Sequence, residues 1–442
     1  MLDLITAALG RNHGVSDWTV RHRRTRSTQL YLIGRAIENV REVNTEEYEV
    51  EVFNDHPYPE GTEKAGTPAR GVASIKLVPA DKGNLARRIE EAVIMAQLVS
   101  NPPYTLPEPA TYPTLDLADA ALANADSTGK TATAFAGELW ELVEREAGIR
   151  LSAAELFLHD TDLVLENSRG IQTGASLTRV SAEIALLARG QDGTEAEHFR
   201  QIEARQLLDL NLSEQVAEAA TFARDTLRST APNTRLGPVV LSGTALVPLF
   251  EAFTFRASAR AAYMKLTDTQ PGQSVLGGQE VRGDRLNLRS NALRPFAVGS
   301  YLFDSEGTPG RDTLLIDNGL LKQRLATQRY AQYLDVPVTG ELGNTEVAPG
   351  ATSLPELLQP GVLHVVGFSA PEVDPVTGDF GSEIRLAYEI TPDGPRPVKG
   401  GSVTGNVFEA FADARLSQEV EQRGNYHGPQ AIRFASLSVS GE

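Results

Sequence analysis

The segment LVPLFEAFTFRASARAAY, residues 246–263, places one carboxylate, Glu251, among aromatic residues on a pattern that predicts an amphipathic helix. A carboxylate in such a position can accept a proton during catalysis, or it can form an ion pair or cap on the helix surface. The segment alone leaves both roles open. The other residues that could carry chemistry therefore decide how Glu251 is interpreted.

Metal ligands are sparse in this sequence. The chain has 7 histidines and no cysteine, which excludes disulfides, iron–sulfur clusters, thiol nucleophiles and zinc sites that use sulfur. The closest histidines, His13 and His22, are too far apart to chelate zinc from one helix. The densest potential ligand group is His159 with Asp160 and Asp162, for which the sequence favours a satisfied loop or strand edge.

Two other motifs have ordinary structural explanations. Asp374 and Asp379 in DPVTGD could suit a hard cation, but Asp-Pro and Thr-Gly-Asp are typical of a turn. Gly129-Lys130-Thr131 resembles the end of a phosphate-binding loop, yet Asn124 stands where that loop requires glycine. Neither a GxSxG nor a GxGxxG motif occurs, so serine-hydrolase and dinucleotide signatures are missing from the sequence.

Composition and charge narrow the class of protein. The chain has 442 residues, 41% of them hydrophobic, and a formal net charge of −17, which argues against a nucleic-acid binder. The basic run from Arg21 to Arg26 alternates like a strand and is interpreted as a solvated sheet face. No apolar run approaches the ~20 residues that span a bilayer, and no signal peptide is recognised, so we expect a cytoplasmic protein without a membrane segment.

Periodicity predicts an α+β protein, with an N-terminal α/β part that has an antiparallel sheet and helices, followed by a mainly antiparallel β domain. Helices are predicted at 84–100, in ATAFAGELWELVEREAG and in SEQVAEAATFARDTL, with an irregular middle between the last two. Asp317-Asn318-Gly319 and the DPVTGD turn each predict a hairpin. The expected units are residues 1–100, a Pro-rich linker at 101–114, a second α/β unit at 115–235 and the β domain at 236–442.

The segment FEAFTF, residues 250–255, resembles the HExxxH zinc motif of the TldD/PmbA family, with Phe250 and Phe255 at the two histidine positions. Five further blocks resemble the family in the same order along the chain. They are LENSRGIQTG (165–174), FDSEGTPGRDTLLIDNGLLKQRLA (303–326), VDPVTGDF (373–380), PVKGGSVTGNVFEAF (397–411) and the closing LSVSGE. The chain is most similar to the PmbA/TldE-like branch, whose members resemble TldD but lack its zinc ligands.

This resemblance implies that the chain does not hydrolyse peptides by itself. Zinc hydrolysis needs three protein ligands, an open position for water and a carboxylate, and only Glu251 is present here. The zinc-bearing relatives complete their site with a cysteine near the C-terminus, whereas RGNYHGPQAIRF offers His427 as a lone ligand. We therefore expect neither catalytic residues nor a cofactor or metal in this chain, and an ion-pair or capping role for Glu251 beside Arg256 or Arg260.

The resemblance also suggests surfaces that meet a partner or a peptide. Loops fixed by hairpins project from a sheet, so the acidic turn and the Gly-rich block are the candidates for an interface or peptide groove. An ordinary solvent-facing turn is the alternative for both. The candidate residues are Phe303, Asp304, Glu306, Gly307, Gly400, Gly401, Gly405 and Asn406.

Three functions remain open from the sequence. The first is a non-catalytic subunit that pairs with a TldD-like, zinc-bearing chain acting on unfolded or extended peptides. The second is a stand-alone homodimer that binds peptides or regulates without enzymatic activity. The third is a metal-free hydrolase that pairs Glu251 with Asp304 or Glu306; it is disfavoured because carboxylates in turns are usually solvated.

Overall fold

The computed structural model describes residues 1–123 and 125–441. Its helices are α1 (Leu2–Arg11), α2 (Leu85–Gln97), α3 (Ala125–Glu144), α4 (Leu212–Leu227), α5 (Leu249–Ala257), α6 (Ala259–Tyr263), α7 (Gln328–Leu334), α8 (Leu354–Leu357) and α9 (Val407–Ala410). Its strands are β1 (Asp17–Ile33), β2 (Ala36–Pro57), β3 (Pro68–Leu77), β4 (Ile149–Asn167), β5 (Gln172–Arg189), β6 (Glu195–Ala204), β7 (Arg235–Ser242), β8 (Leu288–Asn291), β9 (Asp312–Asp317), β10 (Leu320–Leu321), β11 (Asn344–Val347), β12 (Leu363–Phe368), β13 (Glu372–Val373), β14 (Asp379–Thr391), β15 (Gly394–Val398), β16 (Ser402–Asn406), β17 (Arg415–Leu416), β18 (Val420–Arg423), β19 (Tyr426–Pro429) and β20 (Ala431–Ser440). The predicted α+β class is confirmed.

The N-terminal part is built on one antiparallel sheet in the order β3-β2-β1-β4-β5-β6. Leu30 and Leu32 of β1 pack with residues of α3 and α4 in one core, and Val20 of the same strand packs with α1 and α2 in another. The apolar side chains at alternate positions of β1 therefore lie on one face of the sheet, and the helices pack against that face. Strands from before and after the Pro-rich segment share this sheet, and the division into domains remains a prediction.

The predicted irregular middle between α3 and α4 is wrong. Residues 149–189 form two long strands, β4 and β5, paired from Ile149↔Ala188 to Glu166↔Gln172. Asn167 holds the turn between them, because its Oδ1 accepts hydrogen bonds from the backbone N–H groups of Arg169 and Ile171, each at 3.0 Å. The alternation of polar and apolar residues is hard to recognise in this part of the sequence, because both faces of β4 and β5 carry polar as well as apolar side chains.

The basic run on β1 is paired across the sheet, as expected for a solvated face. Arg21 forms an ion pair with Glu49 on β2 at 2.9 Å, and Arg26 Nε donates to Asp160 on β4 at 3.0 Å. Cross-strand charge pairs of this kind stabilise a sheet and leave little free positive charge for a polyanion.

The C-terminal part contains a closed barrel of β7, β12, β14, β16 and β20. Strand β12 pairs with β7 in parallel and with β14 in antiparallel orientation, which joins the two ends of the sheet. A second sheet runs in the order β10-β9-β8-β11-β19-β18, with β11 and β19 parallel. Both predicted hairpins are confirmed, at β9–β10 and at β12–β14 with β13 between them.

The Pro-rich segment crosses the N-terminal sheet as an extended strap. Its anchor is Arg70, which is 5% exposed and bonds Asp17 at 2.8 Å and Asp55 at 2.7 Å. Arg70 Nη1 also donates to the carbonyl of Tyr104 at 2.8 Å. A buried guanidinium needs such complete pairing, and here the pairing ties the strap to β1 and β3. Within the described ranges, no helix is long and apolar enough to cross a membrane.

Candidate functional site

The helix predicted across residues 246–263 is divided in two. Helix α5 begins after Pro248 and ends at Ala257, where Ser258 adopts an extended conformation. Ser258 Oγ then accepts the N–H of Ala261 at 3.3 Å and begins α6. A serine in this conformation is a typical N-cap, which explains the break in a continuous apolar pattern.

Phe250, at the first histidine position of the zinc motif, lies in the core of the C-terminal part and is 1% exposed. Its ring stacks on that of Tyr426 on β19, with centroids 5.3 Å apart and an interplanar angle of 20°. Phe411 contacts the ring of Phe250 edge-on, with the two ring centroids 6.0 Å apart. Tyr426 belongs to the C-terminal segment RGNYHGPQAIRF, so this segment and α5 meet at a pair of aromatic rings.

The next aromatic residues of α5 face different surroundings. Phe253 is fully buried and packs against Phe411 at 4.7 Å and Phe408 at 5.6 Å, whereas Phe255 is half-buried. At these helical positions the three aromatic side chains cannot all lie on one face of the helix.

The residues at the motif positions do not fit a zinc ion. Phenyl rings have no lone pair for a metal, and the hydroxyl of Tyr426 donates instead to the carbonyl of Pro429 at 2.9 Å. His427 lies on β19 beside them, and burial lowers its pKa. Across the described residues, no three His, Asp or Glu side chains are grouped so that they could hold a metal.

Glu251 does not form the expected ion pair. Its side chain is exposed, and in the described part of the chain neither Arg256 nor Arg260 pairs with it. The guanidinium of Arg256 lies over the ring of Phe408 and donates to the carbonyl of Val275, so it is turned toward the core. Glu251 is in the first turn of α5, where a negative charge interacts favourably with the helix dipole.

Glu251 lines a cleft of about 1630 Å³ between the N-terminal sheet and the barrel. All ten residues of β6 line one side of this cleft. The other side includes the end of β12, residues 383–385 of β14 and the loop at Lys399 and Gly400. Since residues of both faces of β6 contribute, the cleft follows the free edge of the strand.

The charged groups of the cleft are concentrated near the middle of β6. Arg200 is buried against Glu218, with which it forms an ion pair, and Arg423 pairs with Glu421 at 3.3 Å. Burial, and then the positive charges of Arg200 and Arg385, lower the pKa of His198 to about 4. Arg200 and Arg385 therefore lie close enough to His198 to oppose its protonation.

The Gly-rich block is divided between the cleft and the barrel. Of its candidate residues, only Gly400 lines the cleft beside Glu251. A Cβ at Gly401 would lie 2.0 Å from the carbonyl oxygen of Ser440, and a Cβ at Gly405 would lie 2.7 Å from Leu437. Asn406 caps α9 and donates to Asp379 at 2.9 Å. Most of the block is therefore packed into its own domain.

The acidic turn does not project from the sheet as expected. Phe303 packs edge-on against Tyr112 of the strap, and a Cβ at Gly307 would lie 2.9 Å from Ile171 of the N-terminal part. Glu306 accepts the backbone N–H of Arg329 at 3.1 Å. The turn is an internal junction because Gly307 fits against the β4–β5 turn, while Glu306 bonds the start of α7.

Asp304 is the most perturbed carboxyl of that junction. It is 3% exposed, and its Oδ1 accepts the backbone N–H groups of Glu306 at 3.0 Å and Thr308 at 2.8 Å. Burial, and then the charges of Glu341 and Glu306, raise its pKa to about 7 against the effect of the Thr308 hydrogen bond. The structure does not bring Asp304 or Glu306 together with Glu251, because only Glu251 lines the cleft.

The remaining candidate motifs are structural. Asp160 bonds Arg26, and Asp162 accepts from Ser176 at 2.6 Å, so both carboxylates are satisfied as predicted. The predicted location in a loop or at a strand edge is wrong, because β4 lies between β1 and β5 in the sheet. Asp374 accepts the N–H of Val376 at 2.8 Å, which confirms the turn. Gly129-Lys130-Thr131 lies inside α3, while Asn124 is outside the described residues.

The sequence gave no signal for a buried serine–histidine contact. Ser242 Oγ and His364 Nε2 are 2.7 Å apart in the barrel, and burial lowers the pKa of His364 to about 4. No carboxylate in the described ranges bonds the imidazole, so nothing orients it as a base. The pair joins β7 to β12 as a structural contact.

The edge of β6 is the part of the site that sequence reasoning missed. Its residues, EAEHFRQIEA, alternate small or partly apolar side chains with polar ones, which is the pattern of a strand. The pattern is weak because two polar residues, His198 and Arg200, are on the covered face. That β6 faces the barrel depends on contacts between distant parts of the chain, which no local pattern encodes.

Comparison with known proteins identifies the family. Residues 234–441 match the family described as PmbA/TldA metallopeptidase C-terminal domain. Residues 234–441 therefore belong to the TldD/PmbA family. The sequence blocks from FEAFTF onward begin within this range, which also contains the barrel.

Three known proteins are similar to the chain beyond this range. An uncharacterised protein of Methanocaldococcus jannaschii is 26% identical over 61% of this chain, and the match spans 64% of that protein, under two thirds of its length. The metalloprotease PmbA homologue of Haemophilus influenzae is 25% identical over 74% of this chain and 73% of its own. The structure of TldE from Thermococcus kodakarensis has a TM-score of 0.80 at 17% identity over the whole of both chains, which shows a shared fold.

Proposed function

We propose that this chain is a cytoplasmic, TldE/PmbA-like subunit that is non-catalytic by itself and pairs with a TldD-like, zinc-bearing subunit to degrade unfolded or extended peptides. The observation that carries the proposal is the stack of Phe250 on Tyr426. Phe250 stands where the zinc motif has its first histidine, and here it packs with Tyr426 in an apolar core.

The environment of Glu251 supports a non-catalytic role. In a peptidase, a carboxylate activates water only when a metal ion, or a second acidic or basic group, lies within hydrogen-bond reach of the same water. Glu251 faces the cleft without a paired acid or base among the described residues. The chain's contribution would then be to hold the peptide and the partner rather than to cleave.

The cleft supports the peptide part of the proposal. Its volume of about 1630 Å³ is large for a small-molecule site, and an unpaired strand edge runs along its side. An extended peptide can add to such an edge through backbone hydrogen bonds without a sequence motif. Unfolded chains are the class of substrate that can present such a backbone.

The test is to mix the purified chain with a TldD-like chain that carries an intact HExxxH motif. We expect a stable complex in size-exclusion chromatography and cleavage of an unstructured fluorogenic peptide faster than by the TldD-like chain alone, with cleavage stopped by a chelator. A homodimer that ignores the second chain and leaves cleavage unchanged would favour the stand-alone binding protein instead.

A further inference from the structure

The free edge of β6 lies in the cleft with its backbone available. In the described sheet, β6 pairs only with β5, through ten residue pairs from Val180↔Ala204 to Arg189↔Glu195. An unpaired edge of this length is normally protected by charges, prolines or a covering element, because it can accept another strand. Here it is recessed in a cleft, where a single extended chain can reach it.

The two faces of β6 offer different chemistry to such a strand. His198 and Arg200 share the face toward α4, where both lie against the ring of Phe222. Phe199 is on the opposite face and is 55% exposed, although it is a large apolar residue. Side chains of an added strand would alternate between these two faces in the same way.

The face with His198 is positively charged beyond what its own acids neutralise. Glu218 and Glu421 already pair with Arg200 and Arg423. Arg385, across the cleft on β14, is exposed and has no ion-pair partner in the described part of the chain.

Negative groups also line the cleft. Glu195, Glu197 and Glu203 are on the Phe199 face of β6, where Arg150 pairs with Glu195 and Arg179 pairs with Glu203. Asp209, Glu251 and Glu383 line other parts of the cleft, and Glu383 accepts a hydrogen bond from Ser369. In a bound strand, one row of side chains would therefore face the unpaired charge of Arg385, and the other row would face the apolar ring of Phe199.

We infer that the edge of β6 binds an extended peptide as a seventh strand, and that it prefers peptides with acidic side chains at alternate positions and apolar side chains between them. The inference rests on the proposed function, because it takes an extended peptide as the ligand and adds its position and its charge pattern. Backbone hydrogen bonds supply affinity, while Arg385 and Phe199 select the two rows of side chains.

The experiment measures binding of fluorescent twelve-residue peptides to the isolated chain by anisotropy at low ionic strength. The probes are a peptide of alternating Glu and Val, the same peptide with Lys in place of Glu, and two Glu peptides with N-methylated backbone at alternate residues, one in each register. We expect the Glu peptide to bind roughly tenfold or more tightly than the Lys peptide, and at least one N-methylated peptide to lose binding.

Variants of the chain test whether the peptides bind at the edge of β6. Arg385→Glu should remove or reverse the preference for Glu, and Phe199→Ala should weaken binding of the Glu peptide several-fold, with folding checked by circular dichroism. Leu208→Ala and Lys82→Glu are matched controls, because both residues are exposed and lie outside the cleft. The controls should bind like the parent chain.

Other outcomes overturn the inference. Binding that survives N-methylation in both registers, a charge preference unchanged in Arg385→Glu, or no binding of any probe would each exclude this site. Ultracentrifugation is run in parallel, since a dimer that Phe199→Ala dissociates would show that a second copy of the chain occupies the edge. The assay needs neither zinc nor a second subunit, so its failure leaves the proposed pairing with a zinc-bearing chain to its own test.

Discussion

Phe250 and Tyr426 stack with their ring centroids 5.3 Å apart, although they are 176 residues apart in the chain. The contact joins α5 to β19 in the apolar core of the C-terminal part. Because both rings are buried, the contribution of the contact to stability can be measured in a denaturation experiment.

We expect Phe250→Ala to lower the free energy of unfolding by about 3–5 kcal/mol, the usual range for removing a buried phenylalanine. The cause is the cavity left against Tyr426 and Phe411. Phe199→Ala is the matched control, since Phe199 is 55% exposed and should change stability by less than about 1 kcal/mol. Urea denaturation of both variants measures the difference. Equal effects would show that Phe250 is not packed as described.

Glu251→Gln should leave peptidase activity of the mixture with a TldD-like chain largely intact. The carboxylate has no ion-pair partner in the described residues and interacts mainly with the helix dipole, so the stability change should not exceed about 1 kcal/mol. Turnover and thermal unfolding are measured on the same preparation. A thousandfold loss of turnover with unchanged folding would assign a chemical role to Glu251.

The buried Asp304 predicts a specific pH dependence of stability. Its pKa is raised from 3.8 to about 7 in the folded chain, so between these values the folded chain holds a proton that the unfolded chain has released. Stability from this group is therefore present below about pH 4 and is lost as the pH rises toward about 7.

Asp304→Asn should remove this loss, because the amide keeps the Oδ1 acceptor for Glu306 and Thr308 and cannot ionise. We expect the free energy of unfolding of the variant, relative to the parent chain, to rise between pH 5 and pH 8. Guanidinium denaturation at the two pH values measures it. A difference that stays constant with pH would mean that Asp304 ionises normally.

Substitution at Gly405 should impair folding and not association alone. A Cβ there would lie 2.7 Å from Leu437 and 3.0 Å from Phe380, and crowding of this kind typically costs about 1–3 kcal/mol. Thr404→Glu, at the exposed neighbouring position, is the control that should fold normally. Thermal unfolding compares Gly405→Asp with this control. Equal melting temperatures would show that the barrel accommodates a side chain at Gly405.

The turns and helices that depend on neighbouring residues alone could be predicted from the sequence. Asp317-Asn318-Gly319 requires left-handed backbone, and the structure has φ of +52° at Asn318 and +80° at Gly319 in the β9–β10 turn. The helices α2, α3 and α4 also follow from their apolar spacing. In contrast, the break at Ser258 depends on a backbone hydrogen bond from Ala259 to Leu325, 66 residues away, which the apolar pattern does not reveal.

The site was predicted less completely because it depends on long-range pairing. The replacement of both motif histidines was visible in the sequence, but the burial of the acidic turn was not, since it requires Gly307 to meet Ile171 across two parts of the chain. The ion pair expected for Glu251 failed because Arg256 follows the helix inward to the ring of Phe408. The cleft along β6 arises only when the sheet and the barrel are placed together.

The central claim is tested most directly by the metal content of the isolated chain. The protein is purified, incubated with excess zinc, desalted and measured by inductively coupled plasma mass spectrometry, alongside a TldD-like chain with an intact HExxxH motif. We expect well below one tightly held zinc per chain here and about one in the TldD-like control. One equivalent of tightly held zinc in this chain, with peptide cleavage that a chelator abolishes, would contradict the account.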